Sequence, residues 1–210
     1  MQLVSITRRI AVASAVVAAV FAVGAGSAGA TLVPYDSAWC DNETGQQVFL
    51  PWADPASYAP APGGDFESSG SHWTLIAASR DTSDNEPFRV SGDNDHSSLQ
   101  IDNGGTALSP AICVGLGEPS ARFFFKQAGG LPGATLQVDV LFDDATGRTQ
   151  AQTIGVLGVA QQWRLSPQLL TMANVLPTIG AGRTAVAFRF TAIGGSFKID
   201  DLYVDPWNRP

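Results

Sequence analysis

The sequence predicts an all-β fold: a two-sheet antiparallel β-sandwich or jelly roll, preceded by an irregular N-terminal arm. Three observations predict it. About eight to ten short apolar or alternating segments are separated by Gly- and Asp-rich turns. No segment beyond residue 30 sustains a 3.6-residue apolar period. The stretch Gly194 to Asp205 reads as a closing strand. Within that strand Phe197 and Ile199 share one parity, while Leu202 and Val204 share the other. Side chains alternate strictly along a strand, so either both faces are buried or an extra residue sits at Asp200-Asp201. A bulge there is the more economical reading. Two adjacent carboxylates at such a point repel one another and are costly to bury, and a bound divalent cation would offset that cost.

The first 30 residues read as an export signal. Arg8 and Arg9 form a basic start, Ile10 to Val23 is apolar, and Ala28-Gly29-Ala30 has the small-x-small pattern of a cleavage site. The run is shorter than the ~20 residues of a comfortable span, so an uncleaved anchor is the lesser reading. Cleavage after Ala30 would leave 180 of the 210 residues, enough for one domain with a sizeable core. The expected product is a secreted, extracellular bacterial protein. It is expected to be monomeric, with no membrane insertion of the mature chain.

Without Arg8 and Arg9 the chain has 10 basic residues against 19 acidic ones, a net charge of about −9. Such a surface repels nucleic acid and anionic membranes. All but four of the acids are Asp. Turn chemistry accounts for many of them, and cation binding through oxygen ligands is the functional alternative. Cys40 and Cys113 should pair in an oxidising compartment. That bridge would close a loop of roughly 70 residues, on the order of 4 kcal/mol by chain entropy. His72 and His96 have no zinc-ligand spacing to the cysteines.

Residues 31–63 form the arm. Pro34, Pro51, Pro55, Pro60 and Pro62 leave room for at most one short edge strand. Residues 64–210 are assigned to the β-domain. Strands are expected at Trp73–Ala77, Ser98–Asp102, Ala111–Val114, Arg122–Lys126, Thr135–Phe142, Thr149–Leu157 and Arg183–Ala192. Asn103-Gly104-Gly105, Gly129-Gly130 and Gly194-Gly195 read as the turns that end them. Ser166 to Ala173 is compatible with a short helix or a strand.

Three motifs carry a family resemblance. Gly64-Asp65-Phe66-Glu67-Ser68-Ser69-Gly70-Ser71-His72-Trp73-Thr74-Leu75 resembles the opening strand of jelly-roll carbohydrate-binding modules and their galactose-binding-like relatives. Gly92 to Ile101 is similar to their second strand, and Phe197 to Val204 to their last. The resemblance implies adjacent first and last strands with a structural calcium between them. It implies Glu67, Asp200 and Asp201 as ligands, with Asp65, Asp93 and Asp95 as weaker candidates. The alternative is that these acids accept hydrogen bonds from backbone amides at the sheet edge. It also implies a carbohydrate or cell-envelope ligand, held by aromatic faces and hydroxyl-binding polar groups. Of Trp39, Trp52, Trp73, Trp163 and Trp207, Trp163 is the candidate ligand-facing indole, because its neighbours Gln161, Gln162 and Arg164 are polar. Trp73 is assigned to the core, and Trp52 and Trp207 are expected to pack against one another and pin the two ends together.

No G-x-S-x-G, phosphate-loop, dinucleotide or zinc-protease motif occurs. The expectation is a non-enzyme. A structural or protein-interaction role in the envelope is the alternative, and a small glycan-acting hydrolase using Asp139 with Asp143, or Asp200 with Asp201, comes third. A sheet face covered by the arm would favour the structural or interaction role.

Overall fold

The computed structural model of the chain describes residues 45–68, 72–115, 120–171 and 183–205. The signal segment and most of the arm, with Trp39, Cys40 and Trp207, lie outside the described residues. Among the described residues nine strands follow in order: β1 (Ala59–Pro60), β2 (Thr74–Asp81), β3 (Ser98–Leu108), β4 (Ile112–Gly115), β5 (Ser120–Asp143), β6 (Thr149–Leu157), β7 (Arg164–Leu165), β8 (Leu169–Leu170) and β9 (Arg183–Val204). All pairings are antiparallel, and the main path runs β2-β3-β9-β5-β6.

The fold is a two-layer sandwich made by creasing one hydrogen-bonded sheet. The glycine pairs read as turns are the crease. Strand β5 runs unbroken through Gly129 and Gly130, and β9 through Gly194 and Gly195, where Gly130 and Gly195 face each other. A Cβ on Gly130 would lie 2.2 Å from the Gly195 Cα, and Gly130 also holds φ at +115°. Only glycine permits both the approach and the conformation. Strand β3 likewise continues through Gly104, with φ at +80°, and its pairing with β9 shifts there. The predicted Arg122–Lys126 and Thr135–Phe142 strands are therefore two halves of β5, lying in opposite layers. Arg183–Ala192 and Phe197–Val204 are likewise two halves of β9.

Ring and chain contacts close the layers. Phe123, in the first half of β5, meets Phe190, in the first half of β9, edge to face at 5.0 Å. Leu169 of β8 packs where Gly155 of β6 leaves space. Leu136, Val138 and Val140 are fully buried, as their shared parity predicted. Trp73 joins this core, and its indole N–H donates to the Pro62 carbonyl at 3.1 Å.

A second cluster lies on the outer face of the layer formed by the later half of β9 and the earlier half of β5. Phe49, Tyr58, Phe124 and Tyr203 are its buried members, with Trp52, Val90 and Trp163 against them. Residues 45–60 cover this face. A single 3-10 turn, Leu50–Trp52, places Phe49 over Phe124 and Tyr203, at ring distances of 6.0 and 5.5 Å. β1 adds the expected short edge strand, pairing Ala59 with Val204. Asp54 pins the arm: its Oδ2 accepts from Tyr58 Oη at 2.8 Å and Arg122 Nη1 at 2.7 Å. Burial acts to raise the Asp54 carboxyl, but the hydrogen bonds from Tyr58 and Arg122 outweigh it and hold the group below its ordinary value. Ser166 to Ala173 contributes only the two-residue β8 among its described residues, not a helix.

Both sequence readings of the closing strand hold. Phe197, Ile199, Leu202 and Val204 all enter the main core, while Tyr203 enters the second. The parity switch is a bulge. Phe124 pairs with Asp200 and Arg122 with Tyr203, so Asp201 and Leu202 together oppose Phe123. Asp201 takes the left-handed conformation, φ 52°, which Asp tolerates better than most residues.

Phe123→Ala should therefore cost about 3–5 kcal/mol of unfolding free energy in urea titrations. Ile76→Ala, at a side chain 63% exposed on edge strand β2, should change it by under about 0.5 kcal/mol.

Candidate metal centre and adjoining cavity

The connection from β2 to β3, residues 82–97, folds over the outer face beside the arm and lays its acids on the β9 bulge. Glu86, Asp95 and Asp201 place one carboxylate oxygen each within 4.8 Å of one another. All are buried: Glu86 is 1% exposed, Asp95 2%, Asp201 1% and the neighbouring Asp200 0%. Glu86 is fixed by the backbone N–H groups of Phe88 and Val90, which donate to its two oxygens. Asp95 Oδ1 accepts from Asn85 Nδ2 at 2.6 Å, and Asp200 Oδ1 from the Asp201 N–H at 2.9 Å. Asp95 Oδ2, Asp200 Oδ2 and both oxygens of Asp201 have no hydrogen-bond partner.

Buried carboxylate oxygens without partners are costly, and several of them in one place repel. Burial and the charge of Asp201 push the Asp200 carboxyl up to about 11. Burial, Asp95 and Glu86 push Asp201 up to about 9. Burial also raises Glu86 and Asp95. The unpartnered oxygens and the hard, all-oxygen donor set fit a divalent cation such as calcium.

Of the expected ligands, Asp201 enters this cluster and Asp200 adjoins it. The resemblance-based weaker candidate Asp95 is a full member. Glu67 does not join. Its Oε1 accepts from the backbone N–H groups of His96 and Ser97 at 2.7 and 2.6 Å, and Arg80 lies 3.6 Å from its other oxygen. That is the amide-binding alternative, and it braces the loop from behind Asp95. Asp65 Oδ1 accepts from the Glu67 N–H at 3.4 Å, closing a local turn. Asp93 is exposed. Sequence reasoning missed Glu86. Its signal was a Glu followed by Pro87 inside a polar connection, an unusual place for a side chain that ends 1% exposed.

The same connection lines an open polar cavity of about 560 Å³, with Asp84, Asn85, Glu86, Arg89, Asp95 and His96 among its walls. Asp84 is its most heavily bonded member. It accepts from Lys198 Nζ at 2.7 Å and Trp163 Nε1 at 3.1 Å, and pairs with Lys126. Burial acts to raise Asp84, but the Lys126 and Lys198 hydrogen bonds prevail and hold it below its ordinary value. Trp163 is thus half-buried beside the cavity, with Lys126 Nζ 5.5 Å from its ring centre. Phe88, on the same connection, is 44% exposed and packs edge-on to Trp52.

The other acid pair is differently placed. Asp139 is 2% exposed and neutralised by Arg189, whose Nη2 donates at 2.7 Å, and it also accepts from Thr153 Oγ1 at 2.6 Å. Asp143 accepts from Thr149 Oγ1 at 2.7 Å. Cys113, on β4, is 9% exposed and is not a free thiol. Its expected partner Cys40 lies outside the described residues.

The raised carboxyls set a sign for pH dependence. A group whose folded value exceeds its unfolded one favours folding below the unfolded value and loses that contribution as pH rises toward the folded value. With divalent cations chelated, thermal stability should fall between pH 5 and pH 8. Asp201→Asn should flatten that fall, because it removes one of the ionising groups while tolerating the same backbone conformation.

No family model matches the chain, and no curated protein matches it. Similar solved structures exist. The CBM22-1–GH10 modules of Clostridium thermocellum xylanase Xyn10B share 17% identity and a TM-score of 0.46, over 69% of this chain and 27% of that one. Tailspike protein 4 of bacteriophage CBA120 shares 18% identity and a TM-score of 0.42, over 68% and 20%. This chain therefore spans less than a third of either structure's length. The xylan-binding domain of Paenibacillus barcinonensis Xyn10C shares 15% identity and a TM-score of 0.45, over 69% of this chain and 92% of that domain.

Proposed function

We propose that this chain is a non-catalytic, calcium-stabilised β-sandwich that binds carbohydrate of an extracellular or cell-envelope surface. The observation that carries the reading is the cavity on the β2–β3 connection, an open polar recess beside an indole. Sugar recognition needs carboxylates, amides or guanidinium groups facing hydroxyls, with an aromatic face alongside. Asn85 and Arg89 would supply the first kind of group, and Trp163, bonded to the wall residue Asp84, the second. Calcium would be held by Glu86, Asp95 and Asp201, with Asp200 adjoining, and would supply the positive charge that these buried oxygens lack. By joining the connection to the β9 bulge, those residues would fix one wall of the cavity. A Cys40–Cys113 bridge and export after an N-terminal signal complete the proposal.

One observation favours a second reading, a structural or protein-interaction role in the envelope. The outer face carrying Phe124 and Tyr203 is covered by residues 45–60 and is not free for a glycan. On the opposite outer face Gln137, Thr191 and Arg189 line up across β5 and β9 without a neighbouring aromatic side chain among the paired residues.

Two measurements separate these readings. Millimolar calcium should raise the melting temperature of the chelator-treated protein by several degrees. In a polysaccharide pull-down, the calcium-loaded protein should be retained on at least one neutral glycan, and Trp163→Ala should reduce retention tenfold or more. Retention on none, with the melting temperature still responding to calcium, would establish the structural reading instead.

A further inference from the structure

We propose that Asn103-Gly104, in the crease of β3, is a self-modification site: with water as the only co-reactant, it converts through a cyclic imide to aspartyl and isoaspartyl forms. The site is separate from the cation cluster and the cavity, and does not depend on the carbohydrate reading.

Sequence and structure select this pair. Asn103 is the one asparagine of the chain that is followed by glycine. Asn103 and Gly104 are both exposed. Residues 102–105 fall outside the register of β3 with β9, and stand opposite the single Ala77 of β2, so neither ladder pins them. A Cβ on Gly104 would meet nothing within 4 Å, so its backbone nitrogen is bare of side chain and lies in open space. The other asparagines among the described residues are worse placed. Asn85 is half-buried, its Nδ2 donates to Asp95, and the nitrogen that follows it belongs to Glu86, 1% exposed. Asn94 is exposed, but the nitrogen that follows it belongs to Asp95, whose N–H donates to the Gly92 carbonyl at 3.3 Å.

The chemistry is closed. The Gly104 nitrogen attacks Asn103 Cγ, the new N–Cγ bond forms, and Nδ2 leaves as ammonia with the proton from the Gly104 nitrogen. Attacker and target sit on adjacent residues, so the step has the advantage of an intramolecular reaction. One water then opens the five-membered imide. Opening at Cγ leaves an aspartate in the ordinary backbone. Opening at the backbone carbonyl of residue 103 leaves the chain running through Cγ, one carbon longer. Either product replaces a neutral amide by a carboxylate beside Asp102. The longer backbone has no slack to enter: a Cβ on Gly105 would already lie 2.3 Å from the Ala77 carbonyl oxygen, and Ala77 itself holds φ at 46°. The isoaspartyl form therefore loosens the crease between β2 and β3.

The test incubates the whole protein, folded and in urea, at neutral and mildly alkaline pH in water enriched in oxygen-18. Digestion and mass spectrometry then map the products. Position 103 should convert ahead of Asn85 and Asn94, take up one solvent oxygen, and yield isoaspartate as well as aspartate. Conversion should quicken with pH, because the attacking nitrogen must lose its proton. The folded rate should stay within about tenfold of the urea rate, since the site needs little local opening. Asn103→Gln, which must close a larger ring, should slow conversion about tenfold or more with the melting temperature unchanged. The isolated isoaspartyl form should melt several degrees below Asn103→Asp, which has the same charge on an ordinary backbone. A folded protein that converts far more slowly than the unfolded chain would overturn the proposal. So would Asn85 or Asn94 converting first, or acid at position 103 without isoaspartate. Equal melting of the isoaspartyl form and Asn103→Asp would overturn the effect on the crease.

Discussion

Four carboxylates are buried where the last strand changes parity, and the surrounding structure is organised by the need to neutralise them. Asp201 is set at the bulge by its left-handed backbone, and Asp200 precedes it. Glu86 and Asp95 come from a connection that could otherwise sit in water. Oxygens left without partners at exposures of 2% or less are not tolerated by a stable fold unless protons or a cation occupy them. Cation binding would make that cost into an attachment: the loop is then held to the sheet, and the cavity walls are held with it.

The fold was legible where period and composition act locally. The alternation from Leu136 to Val140 gave a strand with one buried face, and the parity switch at Asp200-Asp201 gave the bulge. The glycine pairs were misread because a turn and a crease need the same thing, a residue without Cβ. What tells them apart is the chain across the gap. Gly130 faces Gly195, and nothing local to either pair announces the other. The run Phe123-Phe124-Phe125 is explained by the same topology, since Phe123 and Phe125 fill the core between layers while Phe124 lies under the arm.

The site was half legible. Two adjacent acids in an apolar strand are conspicuous at any position, and they led to Asp201. Glu67 and Glu86 were not separable by sequence, being single acids in polar surroundings. Backbone geometry separates them. The amides of His96 and Ser97 converge on Glu67 and satisfy it, whereas the loop turns Glu86 inward toward Asp95. Trp163 donates its indole N–H to Asp84, a residue of the cavity wall that no local pattern marks.

The most direct measurement of this account is a calorimetric titration of calcium into the chelator-treated protein at pH 7, in two buffers of different ionisation enthalpy. The account predicts one saturable site, with protons released on binding because raised carboxyls give them up to the cation. Heat indistinguishable from dilution, or binding that persists unchanged in Asp201→Asn, would contradict it.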